Sequence, residues 1–325
     1  MTSGAAKRRS TLIWTVALIV LALAAPYFLY PVFLMRALCL ALFACAFNLL
    51  LGYVGLLSFG HAAFMGGAAY ITAHAVKVWG FPPEIGILAG VAAAAVLGAG
   101  FGWLAIRRQG IYFAMITLAL AQMVAFFALE APFTGGEDGI QAVPRGHLFG
   151  LIDLDHPLAM YYFVLAMFLI GFAIIQRTVN SPFGQVIKAI RENEPRAISL
   201  GYRAERYKLL AFVLSAALAG LAGATKALVL QLASLSDVDW TTSGEVVLMT
   251  LVGGVGTPLG PVVGAFIIVT MENYLAQAGS WVTIIEGAIF VVCVLTFRRG
   301  IVGVIAPYLT GREQAPAGEP SAKIS

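Results

Sequence analysis

The chain has 325 residues, 60% of them hydrophobic and 11% charged, with a net charge of +4 and an isoelectric point near 9.0. A soluble domain runs at about 45–50% apolar and about 25% charged, so too few polar side chains remain here to cover one globular core. Lipid is the solvent that fits this composition, and the basic excess reads as membrane-topology signal rather than as a nucleic-acid surface.

Apolar runs of about 20 residues predict an all-α integral membrane protein, a polytopic bundle of about ten transmembrane segments. The segments are expected at 12–30, 32–51, 56–78, 84–106, 111–130, 158–176, 208–233, 243–256, 258–275 and 281–297. Lys7, Arg8 and Arg9 before the first run imitate a cleavable signal. The run continues through Tyr27, Phe28 and Leu29, which favours a retained span behind a short cytoplasmic N-terminus, 1–11. Segment 243–256 is short for a crossing and reads as a half-helix or a broken, re-entrant segment. Pro31, Pro82-Pro83, Gly110, Pro157 and Pro258 punctuate the gaps, as helix ends require.

With the N-terminus inside, 16 of the 20 basic residues fall on the cytoplasmic side, leaving Lys77 and Arg145 outside and Arg36 and Lys226 within spans. Residues 131–157, with Glu137, Asp138, Asp153 and Asp155, face outside. Residues 180–207 form a basic cytoplasmic loop within a transmembrane domain, 12–305. The Pro-, Ala-, Gly- and Glu-rich tail, 306–325, reads as cytoplasmic and disordered. Cys39, Cys45 and Cys293 lie in apolar runs as packing residues, and His61, His74, His147 and His156 lack metal-ligand spacing.

In the cytoplasmic loop, Ser181-Pro182 starts a helix. Phe183, Val186, Ile187 and Ile190 follow at i, i+3, i+4 and i+7, one apolar stripe, with Lys188, Arg191 and Glu192 off it. Pro195 breaks that helix, and 196–200 predict a further turn closed by Gly201. Such a stripe either lies on the membrane surface or docks into a groove on a soluble partner.

Gly52, Gly55 and Gly60 interrupt the second and third spans, and Gly253, Gly254, Gly256, Gly260 and Gly264 do so around segment eight. The spacing G-x-V-G followed by a further Gly occurs in both places, an internal repeat. Either the glycines let helices pack closely, or they break helices and expose backbone to a polar path. Asn48, Ser58, His61 and Thr257 are the polar side chains nearest the breaks. His61 either handles a proton or fixes its loop by hydrogen bonding.

Arg36, Glu130, Lys226, Glu245, Glu272 and Glu286 fall in the outer parts of spans; Lys226, eighteen residues past Lys208, lies ~27 Å further along its helix. Either they snorkel or they line an outer vestibule.

A resemblance then enters. Glu194, Arg196, Ala197 and Gly201 resemble the E-A-A-…-G loop of bacterial ATP-binding-cassette importer permeases, with Arg196 where alanine is usual and Pro195 inserted. S-P-F-G-Q-V-I-K-A-I-R-E-N-E (181–194) and K-L-L-A-F-V-L-S-A-A-L-A-G-L-A-G-A (208–224) resemble the LivM-type permeases of branched-chain amino acid importers. So do N-L-L-L-G-Y-V-G-L-L-S-F-G-H-A-A-F (48–64), T-G-G-E-D-G-I (134–140) and G-G-V-G-T-P-L-G-P-V-V-G-A (253–265).

The resemblance implies a multi-pass permease of a bacterial inner membrane with both termini cytoplasmic. Its partners would be a homologous second permease, two ATP-binding subunits, an extracytoplasmic substrate-binding protein and membrane lipid, with no nucleic acid. The loop 180–207 would be the coupling helix, contacting the ATPase through Phe183, Ile187, Ile190, Glu192, Glu194, Arg196, Ala197 and Gly201. Asn48, Gly52, Gly55, Ser58, Gly60, His61, Gly253, Gly254, Gly256 and Thr257 would line the substrate path. The chain has no Gly-Lys dipeptide and so no P-loop; ATP and Mg would bind the partner subunits, and this chain would carry no cofactor. Relatives that carry urea, short amides or aromatic acids share the pattern. An autonomous secondary transporter is the rival from another class, and it would want a midplane carboxylate that the sequence does not offer. A membrane-embedded enzyme would need a His, Asp, Glu or Cys cluster at catalytic spacing, and none appears.

Overall fold

A computed structural model describes residues 22–275, 285, 287–288, 291 and 300–302. The expected span 281–297, most of 12–30, Glu286, Cys293 and the tail lie outside the described residues.

Ten helices carry the described fold, each started by local chemistry. Proline occupies the first turn of α1 (Pro31–Asn48), α3 (Pro83–Ala105) and α5 (Pro157–Asn180), where its missing N–H costs nothing. Gly110, at positive φ, precedes α4 (Ile111–Glu130). Between them α2 spans His61–Lys77. Two short helices follow, α6 (Pro182–Glu192) and α7 (Glu194–Ser199). α8 runs from Ala204 to Leu230, α9 from Trp240 to Gly253 and α10 from Gly260 to Leu275.

α1 continues into a wide π turn, Leu49–Val54, that ends on Gly55 at φ 84°. Pro31–Val54, α3, α4, α5 and α8 are long and apolar enough to cross a membrane. α9, with 14 residues, extends only ~21 Å, short of a ~30 Å hydrocarbon core. The structure departs from the expected spans chiefly at 56–60, which is not helical because Gly60 and the Ser58 and Thr117 hydroxyls give its backbone other partners.

α1 is the axis. It is apolar on every side, and 94% of its best membrane window is buried, by α8, α5, α9 and α10. α3 and α4 lie outermost, with Val96, Trp103, Met115, Met123, Phe126 and Phe127 exposed as a lipid-facing surface requires. Small residues seat the inner helices: Gly98 of α3 lies against Ala216 of α8, and Gly90 against Ala224 and Thr72.

Non-helical chain closes the end of the bundle opposite α6 and α7. β1 (Ile140–Gln141) pairs antiparallel with β4 (Leu232–Ala233), and β2 (His147–Leu148) with β3 (Ile152–Asp153). The T-G-G-E-D-G-I motif is the hinge of this cover. Thr134 donates to the carbonyls of Ala128 (2.6 Å) and Ala131 (2.5 Å), ending α4, and Gly139 at φ 66° passes against the Ala233 carbonyl, where no side chain fits. Lys77 donates to the Gln141 carbonyl (2.6 Å), and Arg145 to those of Leu228 (3.3 Å) and Val229 (2.8 Å) at the end of α8. The two basic residues left outside by the charge count therefore satisfy carbonyls there.

Two of the basic residues within spans are paired. Arg36 of α1 meets Glu272 of α10 at 2.6 Å, and Lys226 of α8 meets Asp237, before α9, at 2.5 Å. Pairing offsets part of the cost of removing each ion from water. Asp237 also accepts from the backbone N–H and hydroxyl of Ser234, so the pair fixes the entry to α9. Lys226→Met strands the buried Asp237 carboxylate and is expected to cost about 3–5 kcal/mol. A thermal midpoint of the detergent-solubilised variant within error of the parent contradicts this; Asp237→Asn added to Lys226→Met recovers much of the loss.

Candidate functional site

The loop between α5 and α8 is built as expected at its start. Ser181 accepts from Gly184 N–H (3.2 Å) to cap α6, and Asn193 accepts from Arg196 N–H (3.0 Å) to cap α7. Pro195 sits in the first turn of α7 and so begins a helix there. Gly201 follows α7 at φ 90°, a left-handed conformation that suits glycine.

The apolar stripe of α6 is occupied by the chain itself. Ile187 and Ile190 are buried, Phe183 stacks on Tyr207 with ring centroids 5.6 Å apart, and Ala197 packs with Ile190 and Ala204. Four of the eight residues expected to contact a partner, Phe183, Ile187, Ile190 and Ala197, therefore hold the loop onto the bundle. Glu192, Arg196 and Gly201 are exposed, beside Ile198, Leu200 and Tyr202. Glu194 faces inward: both its oxygens accept from Lys208 at 2.7 Å, and one accepts from Gln109 at 2.7 Å. It thereby joins α7 to the foot of α8 and to the turn between α3 and α4. Arg191 donates to the Gly52 carbonyl, and Lys188 donates to Val179 O at 3.1 Å while lying over the Tyr53 ring.

The two glycine-rich breaks meet at the same end of the bundle. The Asn48 side chain accepts from Gly256 N–H (2.8 Å) and donates to the Thr257 carbonyl (3.0 Å). A methyl group on Gly52 would sit 2.7 Å from Gly256 N and 2.9 Å from its Cα, so the two backbones touch. Thr257 closes the second break on itself, donating to Gly254 O (2.7 Å) and accepting from Gly260 N–H (3.1 Å). Gly253 faces α10, where an added methyl would collide with the Gly260 carbonyl. Asn48, Gly52, Gly253, Gly254, Gly256 and Thr257 thus form one cluster, with Gly55 under the Arg191 side chain.

Ser58, Gly60 and His61 form a second cluster. Ser58 accepts from Gly60 N–H (3.2 Å), Thr117 accepts from Phe59 N–H (3.2 Å), and Ser243 of α9 accepts from Ala62 N–H (2.9 Å). The His61 ring is fully buried against the edges or faces of Phe47, Phe64 and Phe212. Its Nε2 lies 2.9 Å from Ser215 Oγ, whose single proton goes to Ala46 O at 2.5 Å. His61 Nε2 is therefore the donor to Ser215, and Nδ1 has no partner among the described residues. Ser215 is seven residues past Lys208, ~10 Å further along α8.

Arg191, Lys188, Ser215, Thr117, Ser243 and Gln109 had no local signal; each acts across a long sequence separation, 139 residues for Arg191 and Gly52. Ser215→Ala removes a partner from two buried groups, at about 1–3 kcal/mol each. The expected readout is a lowered thermal midpoint in detergent; Ser215→Thr, which retains the hydroxyl, is expected to lose less.

The family described as "Branched-chain amino acid transport system / permease component" matches residues 31–294. The chain is 27% identical over 300 residues to the high-affinity branched-chain amino acid transport system permease protein LivM of Escherichia coli, covering 84% of this chain and 69% of that one. LivM of Salmonella typhimurium matches at 27% over 302 residues, with the same coverage, 84% and 69%. The ribose import permease protein RbsC of Bacillus subtilis matches at 30% over 202 residues, 55% of this chain and 58% of that one. No solved structure matches. With five helices long and apolar enough to cross a membrane among its described residues and a family match over most of its length, the chain is a transmembrane transport protein that belongs to the branched-chain amino acid permease component family.

Proposed function

We propose that this chain is the membrane-spanning permease subunit of an ATP-driven importer of a bacterial inner membrane and that its cargo is branched-chain amino acids. It works beside a homologous permease, two ATP-binding subunits that hold ATP and Mg, and an extracytoplasmic binding protein. Both termini and the loop 180–207 lie on the cytoplasmic side. α9 enters the bilayer as a half-helix whose polar entry, 234–243, is held by Lys226.

The observation that carries this reading is the wiring of the α6–α7 unit. It is tied to α8 and the α3–α4 turn through Glu194, and to the broken end of α1 through Arg191. Outward it presents Ile198, Leu200 and Tyr202, 56%, 70% and 41% exposed, among Arg196, Arg203 and Arg206. An apolar patch ringed by arginines suits a groove on a soluble subunit better than a lipid-facing role. Force delivered there reaches α8, the turn that joins α3 to α4, and the end of α1. Released from Asn48, Arg191 and Thr257, the backbone N–H and C=O groups of the glycine breaks would serve the carboxylate and ammonium of a zwitterion without a fixed charge.

The test is a gentle pull-down of the tagged chain from its native membrane, with ATP hydrolysis assayed on the eluate. Recovery of ATPases stimulated by a leucine-loaded binding protein is expected. Stimulation by a urea- or ribose-loaded protein instead changes the cargo, and a chain that purifies alone returns the autonomous transporter to first place. Within the complex, Glu194→Ala leaves Lys208 without its anion and cuts the link to α8. Import is expected to fall about tenfold while assembly and basal hydrolysis persist, and unchanged import contradicts the coupling role.

A further inference from the structure

We infer that Arg191 and Asn48 form a latch that holds a cytoplasmic gate shut where the two glycine repeats touch, and that the coupling helix opens it. The inference rests on the importer reading for its direction of force, but the latch itself is a matter of geometry.

Gly52 holds the first position of one G-x-V-G segment and Gly256 the fourth position of the other, and their backbones are in contact. A methyl added to Gly256 would lie 3.3 Å from the Gly52 carbonyl oxygen and 3.7 Å from the Arg191 guanidinium. Nothing passes between these segments while they touch. Two side chains fix this contact: Asn48 bridges the two breaks, and Arg191 pins the first of them to α6. Asn48 reaches from α1 to both a donor and an acceptor of the second break, Gly256 N–H and Thr257 O. Arg191 reaches from α6 to the Gly52 carbonyl, a group the π turn leaves available.

Gly55 explains how Arg191 gets there. At φ 84° it turns the chain, and a methyl on it would lie 3.0 Å from Arg191 Cγ, so the arginine stem crosses a surface cleared of side chains. α6 is otherwise gripped by Ile187 and Phe183, so a displacement of α6 carries the Gly52 carbonyl with it. The motion shears the first break away from the second, and the Asn48 bonds to Gly256 and Thr257 are those that must break. Arg191 is a positioning residue: it touches the gate, not the cargo.

The test is thiol accessibility from the cytoplasmic side. Cys39, Cys45 and Cys293 are replaced by alanine and Ser58, fully buried six residues past Gly52, by cysteine. Labelling by a membrane-impermeant maleimide is followed in inverted native-membrane vesicles without ATP, so the readout needs no purified ATPase. Arg191→Met is expected to raise the labelling rate about tenfold, and Arg191→Lys, which keeps a donor, to restore most of the parental protection. If Arg191→Met does not insert, Asn48→Asp sets a carboxylate against Thr257 O and is expected to loosen the same contact by a similar factor. Parental labelling rates in the inserted variants overturn the latch. In the reconstituted complex, Arg191→Met is expected to keep hydrolysis within about twofold while cargo moved per ATP falls. An unchanged ratio also overturns it. A complex that holds no ATPase fails the importer reading alone, and the vesicle labelling still decides the latch.

Discussion

Backbone groups inside a bilayer have no water to turn to, and the architecture of this chain follows from that constraint. Two of the described segments leave α-helical bonding, 49–60 (a π turn and then non-helical chain) and 254–259, and the amide and carbonyl groups they release need partners. Asn48, Ser58, Thr117, Ser243, Thr257 and Arg191 supply them. An unmet group would cost several kcal/mol in hydrocarbon, so these side chains decide whether the breaks exist at all. The breaks in turn let α1, α2, α9 and α10 meet at one end of the bundle, within reach of α6.

The breaks also divide labour. Around His61 the bonds run in a closed chain through Ser215 to Ala46, walled by aromatic rings, and that arrangement fixes α2 against α8 and α1. Around Gly52 and Gly256, among the described residues, the bonds made to the two glycines' own backbone groups come from Asn48 and from Arg191, the latter mounted on α6. A rigid seat beside a lightly held contact is what a gate requires: one part that keeps its place and one whose few bonds a modest force can exchange.

Much of this was legible in the sequence. Prolines at 31, 83, 157 and 182 and the lengths of the apolar runs located most of the helices, because helix starts and bilayer thickness are local and physical constraints. The stripe on α6 was also legible, but not what covers it. An amphipathic period says that a face is buried, and Tyr207, Ala204 and the end of α1 bury it here before any partner arrives. The glycines posed packing against path, and close approach is what the structure gives at three of them: Gly253 meets α10, and Gly52 and Gly256 meet each other across the repeat. Arg36 and Lys226, which might have snorkelled, are paired with Glu272 and Asp237, residues 236 and 11 positions away. Long-range pairing leaves no local trace, and for that reason Arg191 could not be told from its basic neighbours.

The central claim is that force applied to α6 separates the first glycine break from the second. Spin labels at Gln185, exposed on α6, and Leu259, 42% exposed in the turn before α10, report that separation directly. The distance between them should lengthen by several ångströms when the assembled complex traps ATP, and return after hydrolysis. A distance distribution that stays fixed through a cycle in which cargo is carried would contradict the account.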